Sequence, residues 1–213
     1  VKFAVSTNLS SSLSLISRDS GILWVSYFSS PTQAGYYKLA MAFANYIQLP
    51  IAPMPQATYP EMSRAVARRK WVDFRYLMRT GTRLAGGYAL LVALGLVWVG
   101  KPMIQILYTD AFLPTYPGLV IMLIGIVFSS ALYWARSSLL SLGLADHATR
   151  VNFLVTILSV IGLVTLLPKF GFIGSALIYT FGSLLGNSLV VLKTRSELVR
   201  QESLFPVPLE DPA

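Results

Sequence analysis

The sequence predicts an all-α fold, a polytopic membrane bundle of about six transmembrane helices, and three observations predict it. Hydrophobic residues make up 54% of the chain and charged residues only 12%, with a mean hydropathy of +0.62, a composition that suits a bilayer better than water. The 213 residues, cut into spans of about 20 residues plus loops, leave room for roughly six crossings. Seven basic side chains then sit between Arg64 and Arg83, wedged between stretches that are almost uncharged and apolar. Lys and Arg gather in this way in cytoplasmic loops. Nucleic-acid binding needs a basic face on a soluble body, and there is hardly any soluble chain to carry one.

Residues 1–29 read as one long span with a polar side. The chain starts at Val1 without a charged-apolar-small leader pattern and enters the membrane almost at once, as the second half of something longer does. Residues 33–59 form a second span, broken near its end by Pro50, Pro53 and Pro55. Such a cluster would disrupt a soluble helix but is tolerated where neighbouring helices or water satisfy the freed carbonyls. It serves equally as a bending point or as a static kink. After the basic stretch comes the apolar run 84–99, then a short loop with Lys101, Asp110 and Pro114. Spans at 116–142, 148–167 and 171–192 follow. The organisation is therefore a transmembrane unit over 1–192 and a charged cytoplasmic tail over 193–213, ending in FPVPLEDPA, too poor in apolar residues to fold.

Counting loop charges orients the bundle. Lys2, the seven residues of the Arg64 to Arg83 stretch, Arg150, Lys193, Arg195 and Arg200 fall on one side, and only Lys101 and Lys169 on the other. Six crossings place both termini on the rich side, which the positive-inside rule names cytoplasmic.

Three basic residues remain inside expected spans: Arg18, Lys38 and Arg136. A charge near the bilayer centre costs from about 2.5 kcal/mol upward unless it faces protein or water. Thr7, Ser11, Ser14 and Arg18 fall on one helical stripe with Asp19 beside it, and Lys38, Asn45 and Gln48 make a similar stripe on the second span. Two consecutive helices with one wet face each imply a shared polar cavity. Arg18, Lys38, Asn45, Gln48 and Arg136 are its candidate substrate-binding residues, and Asp19 is a candidate ion-pair or coupling residue. The rival reading has Arg18 or Lys38 snorkelling to the interface, with Asp19 pairing one of them. For Lys38, a few residues past the Gly35 turn, that rival is serious. Ser137, Ser138 and Ser141 around Arg136 equally serve helix packing.

Other chemistry finds little to work with. The chain has no cysteine, so disulfides and thiolate metal sites are excluded. The single histidine, His147, lies in the polar stretch LADHATR with no second histidine or carboxylate cluster, which leaves no catalytic residue, metal site or cofactor to name. Gly182 and Gly186 form GxxxG, expected to pack intramolecularly. The sequon at Asn8 falls inside a span and is a chance match.

The run GYYKLAMAFANYIQLPIAPMPQATYPEMSR resembles the eighth helix of lipid-linked oligosaccharide flippases, with its Leu-Pro followed by Tyr-Pro-x-x-Ser. ILYTDAFLPTYPGLVIML resembles the outer loop and next helix of that family, though Thr109-Asp110 stands where a small Gly is common. LLSLGLADHATRVNFLVTILSVIGLVTLLPKFGFIGSALIYTFGSLLG resembles its ending. In order and spacing these motifs cover nearly the whole chain, and they identify it with the polysaccharide-exporter branch of the multidrug/oligosaccharidyl-lipid/polysaccharide exporter superfamily. The resemblance implies the C-terminal six-helix lobe of a two-lobe transporter in a bacterial inner membrane, partnered by an N-terminal six-helix lobe. It implies a substrate of undecaprenyl-diphosphate carrying a sugar repeat unit. A cavity with Arg and Lys suits that diphosphate independently, through charge-assisted hydrogen bonds.

Three other functions compete. A cation-coupled drug exporter would want intramembrane carboxylates, and Asp19 is the lone acidic residue well inside a span against three basic ones. A membrane glycan ligase or acyltransferase would need a large outer loop or a paired His/Asp site. A non-transporting scaffold assembled with other membrane proteins is the third.

Overall fold

The structure, a computed structural model, describes residues 21–204. Within them every regular element is helical. Helical residues 21–28 (α1) lead into α2 (Pro31–Gln48), α3 (Met54–Ala67), α4 (Trp71–Tyr108), a 3-10 turn at Asp110–Phe112, α5 (Thr115–Ala131), α6 (Ala135–Ser141), α7 (Ala145–Phe170) and α8 (Phe172–Leu204). Arg18 and Asp19, with most of the first expected span, lie outside the described residues.

Local signals start and stop these helices. Ser30 caps α2, its Oγ accepting from Gln33 N–H at 3.2 Å, with Pro31 at the first helical position. Pro50 and Pro53 have no N–H to continue the ladder, so the second expected span divides into α2 and α3, separated by residues 49–53. The basic stretch is not a loop. It occupies the end of α3, a tight turn and the first turns of α4. Arg69 closes that turn in the left-handed region (φ 55) while Lys70 N–H donates to Ala65 O at 2.9 Å. Arg and Lys are good helix formers, so α4 runs well past both ends of the apolar run 84–99.

The expected fourth span also divides, between α5 and α6, without any proline to break it. There Tyr133 OH meets Thr58 Oγ1 at 3.2 Å and Trp134 Nε1 donates to Thr82 Oγ1 at 2.7 Å. The break turns both aromatic side chains onto α3 and α4. At the other end of the chain α8 continues past residue 192 to Leu204, through the first twelve residues of the expected tail.

Four helical stretches among the described residues are long and apolar enough to cross a membrane: Trp71–Tyr108, Thr115–Ser141, Ala145–Phe170 and Phe172–Leu204. Their outward faces carry exposed apolar side chains such as Leu91 and Trp98 on α4 and Phe153 and Ile161 on α7, which is how a helix looks when lipid is its solvent. The chain is a membrane protein. α2 is shorter and more polar and packs inside the bundle, its Ala40, Ala44 and Ile47 fully buried. Half of the α5–α6 apolar window is buried, against 17–22% for the other three, so α5 is the central post.

The core is in two parts. The larger joins α2, α4, α5, α7 and α8 around Leu119, Met122 and Ile126. The smaller sits at the basic end, where Met62 of α3, Trp71, Phe74 and Met78 of α4, Trp134, and Leu198 of α8 meet. Side-chain ties mark the two ends. Ser137 Oγ to Pro55 O (3.3 Å) and Ser138 Oγ to Thr194 Oγ1 (3.0 Å) lie at the basic end. Phe172 N–H to Gln33 Oε1 (2.9 Å) and Tyr116 OH to Val97 O (2.7 Å) lie at the other.

The α7–α8 turn depends on Gly171, which stands at φ 56, ψ −141, where a side chain is strained. A Cβ there would also collide with Gln33 Oε1. Gly171→Ala is expected to destabilise the protein by about 1–3 kcal/mol, read as a lower thermal midpoint in detergent. Adding Gln33→Ala removes the collision but leaves the strained φ and takes away the acceptor of Phe172 N–H, so it should recover part of the loss at most. A Gly171→Ala midpoint equal to that of the parent would show the turn to be wrong.

A polar cleft between four helices

Neutral polar groups from four helices converge on one cleft. On α7, Asn152, Thr156 and Ser159 fall at i, i+4 and i+7 and so share a face. On α8, Ser175, Tyr179 and Ser183 do the same at i, i+4 and i+8. Tyr37 and Gln48 of α2 and Ser129 of α5 complete the wall around a cavity of about 320 Å³. Tyr37 and Gln48 are eleven residues apart, about 16 Å of helix rise, so the cleft runs along the bundle for roughly half the thickness of a hydrocarbon core. The Ser175 hydroxyl is buried with no protein partner among the described residues.

The α7–α8 wall is thin because small residues make it. A Cβ on Gly182 would sit 3.3 Å from Val155 Cγ1 and 3.5 Å from Ser159 Oγ, and one on Gly186 3.4 Å from Val155 Cγ2. The GxxxG pair therefore packs against α7 within the chain. Past it lies a second chamber of about 220 Å³, which shares Asn152, Val155 and Gly182 with the cleft and is lined further by Asn187, Val190 and Arg136. Arg136 is the one cation lining either cavity among the described residues. Its neighbours Ser137 and Ser138 are buried and hold α6 to α3 and α8, so packing and cavity lining are divided between adjacent residues. Arg136 stands level with Ala148, which is two residues from Arg150, and with Val190, which is three from Lys193, and so lies at the basic end of the bundle rather than at its middle.

The other sequence candidates are distributed differently. Gln48 reaches the cleft. Asn45 is half-buried and Lys38 exposed, and neither lines a described cavity. Ten residues on from Lys38 leave Gln48 about 80° round the helix, on the face of Tyr37 rather than of Lys38. The polar stripes on α7 and α8 were not among the sequence candidates. Their signal is present as periodic Asn, Ser, Thr and Tyr, in stretches of α7 and α8 that carry no charged residue. No acidic side chain lines the cleft among the described residues, and no group of three or more His, Cys, Asp and Glu positioned for a metal occurs among them.

Comparison with known proteins adds the family. A model of a polysaccharide biosynthesis protein family matches residues 1–117, more than half of the chain. The chain belongs to the polysaccharide biosynthesis protein family. It is also 32% identical over 116 residues to the inner membrane protein YghQ of Escherichia coli (strain K12), an alignment covering 54% of this chain and 32% of that protein. The chain thus spans about a third of the length of the curated relative it matches. Within this polysaccharide biosynthesis protein the family-matched range ends in the first turn of α5, so the cleft walls built by α7 and α8 lie beyond it.

Proposed function

We propose that this polysaccharide biosynthesis protein is part of a transporter that moves undecaprenyl-diphosphate-linked oligosaccharide across the cytoplasmic membrane, with both termini cytoplasmic. The observation that carries the reading is a long, uncharged, hydroxyl- and amide-lined cleft, with the Arg136 guanidinium in the adjoining chamber at the basic end. Sugars present many hydroxyls and no charge, so Gln48, Asn152, Thr156 and Ser159 match them as donors and acceptors, with Tyr37 and Tyr179 as amphipathic walls. A diphosphate is anionic and seeks a bidentate donor, which Arg136 offers and Arg18 of the first span is proposed to supplement. The role is positioning and passage, with no bond made or broken. A cationic drug would need carboxylates in the cleft, and the described walls have none.

The test is to make α7 apolar while keeping its shape. Asn152→Leu with Thr156→Val changes little volume and removes two groups that bond the sugar. At about 1 kcal/mol net for each hydrogen bond, surface polysaccharide in cells relying on the full-length protein should fall roughly tenfold or more at unchanged protein level. Undiminished export in the double variant would remove the cleft from the transport path.

A further inference from the structure

A second cationic feature lies outside the cleft. Arg75, Arg79 and Arg83 recur at i, i+4 and i+8 on α4 and face Arg195 of α8 across a groove of about 590 Å³. Glu202 pairs with Arg75 at 2.5 Å. No ion pair is formed by Arg79, Arg83 or Arg195 among the described residues, so within them the groove keeps three guanidiniums without a bound carboxylate. The floor is apolar, made by Met78, Trp134 and Leu198.

Depth selects the ligand. Arg83 directly precedes the apolar run that starts at Leu84, and Arg195 comes three residues after Leu192, where the apolar part of α8 ends. Both helices therefore leave the hydrocarbon at this groove. Its guanidiniums stand at the level of the lipid headgroups, beside an apolar floor of Met78, Trp134 and Leu198. We propose that this groove holds the phosphate headgroup of an acidic membrane phospholipid, with Arg79, Arg83 and Arg195 as the phosphate ligands. Basic pockets between membrane helices at the bilayer surface attract such headgroups, and planar guanidinium forks match their oxygens.

The neighbouring basic groove shows what is special here. It places Arg64, Arg68 and Lys70 beside Glu61 and Asp73, so most of its charge is balanced. Lys70 precedes Leu84 by fourteen residues, about 21 Å of helix rise, which is well above the headgroups. A free anion in water would reach either groove, whereas a lipid reaches only the first.

The experiment titrates the full-length protein in neutral detergent with phosphatidylglycerol and with phosphatidylcholine, reading thermal stability and lipid retention by native mass spectrometry. Phosphatidylglycerol should stabilise and be retained at concentrations at least about tenfold lower than phosphatidylcholine, since the three cations attract a headgroup of net negative charge and not a zwitterion. The triple variant Arg79→Gln, Arg83→Gln, Arg195→Gln should lose that preference, whereas Arg64→Gln, Arg68→Gln, Lys70→Gln should keep it. Arg→Lys at the three groove positions preserves charge and should weaken retention less than Gln. Equal loss in both Gln triples would reduce the effect to overall charge and overturn the site. Inorganic phosphate reproducing the stabilisation would overturn the lipid assignment. Equal retention of the two lipids by the unaltered protein would overturn the proposal without any variant.

Discussion

Gly125→Val is expected to separate α5 from α8 and to destabilise the bundle strongly. A Cβ at Gly125 would lie 2.9 Å from Thr180 Cα, a backbone atom, and 3.2 Å from Thr180 Oγ1. The hydroxyl is itself held, since it donates to Ile121 O at 2.7 Å. Neither helix can yield locally, because Ile126 on one side and Ala176 on the other are fully buried. Overpacking of this kind costs about 1–3 kcal/mol, so Gly125→Ala should lower the thermal midpoint and Gly125→Val lower it further, with loss of protein from the membrane. Gly95 supplies the opposite sign. A Cβ there meets nothing within 4 Å among the described residues, so Gly95→Ala should be neutral or stabilise by about 0.5–1 kcal/mol through helix propensity. Similar midpoints for the alanine variants at 125 and 95 would refute the close α5–α8 contact.

Arg136→Ala in the full-length protein is expected to reduce polysaccharide export at least about tenfold, because a charge-assisted bond to phosphate is worth roughly 1.5–3 kcal/mol. Protein level should hold, since Arg136 is exposed and the packing at this end is carried by Ser137 and Ser138. Arg136→Lys should keep part of the export, as charge survives while the bidentate fork does not. Arg136→Glu should be worse than alanine. The measurement is surface polysaccharide together with lipid-linked repeat units accumulating inside the cell. Normal export by Arg136→Ala would place the diphosphate elsewhere.

The helical membrane fold was legible because it depends on apolar composition and on charge segregation, which are averages over many residues. Helix ends were less so. Hydropathy reports where the hydrocarbon stops, whereas α4 and α8 continue through Arg- and Glu-bearing turns that are good helix formers. The break after α5 was invisible for a different reason: it arises from the tertiary bonds of Tyr133 and Trp134 to Thr58 and Thr82, not from a local breaker. In the candidate site, the charge of Arg136 and the polar stripe of α2 that includes Gln48 were legible. Asn152, Thr156 and Ser159 carry no charge to mark them, although their helical period needed no structure to be seen.

The two interruptions of the bundle lie at one height. The α2–α3 break and the α5–α6 break are joined across that level by Thr58 to Tyr133 and Ser137 to Pro55, while α4 and α8 pass through it unbroken. Mechanically this is a joint crossed by two rods. The 38 residues of α4 measure about 57 Å and belong to both parts of the core, Ala85 and Ala89 to the larger and Phe74 and Met78 to the smaller. A tilt of about 5° in a rod of that length displaces one end by about 5 Å relative to the other. Because α4 is continuous, such a tilt at the basic end would be carried to the far end of the same helix.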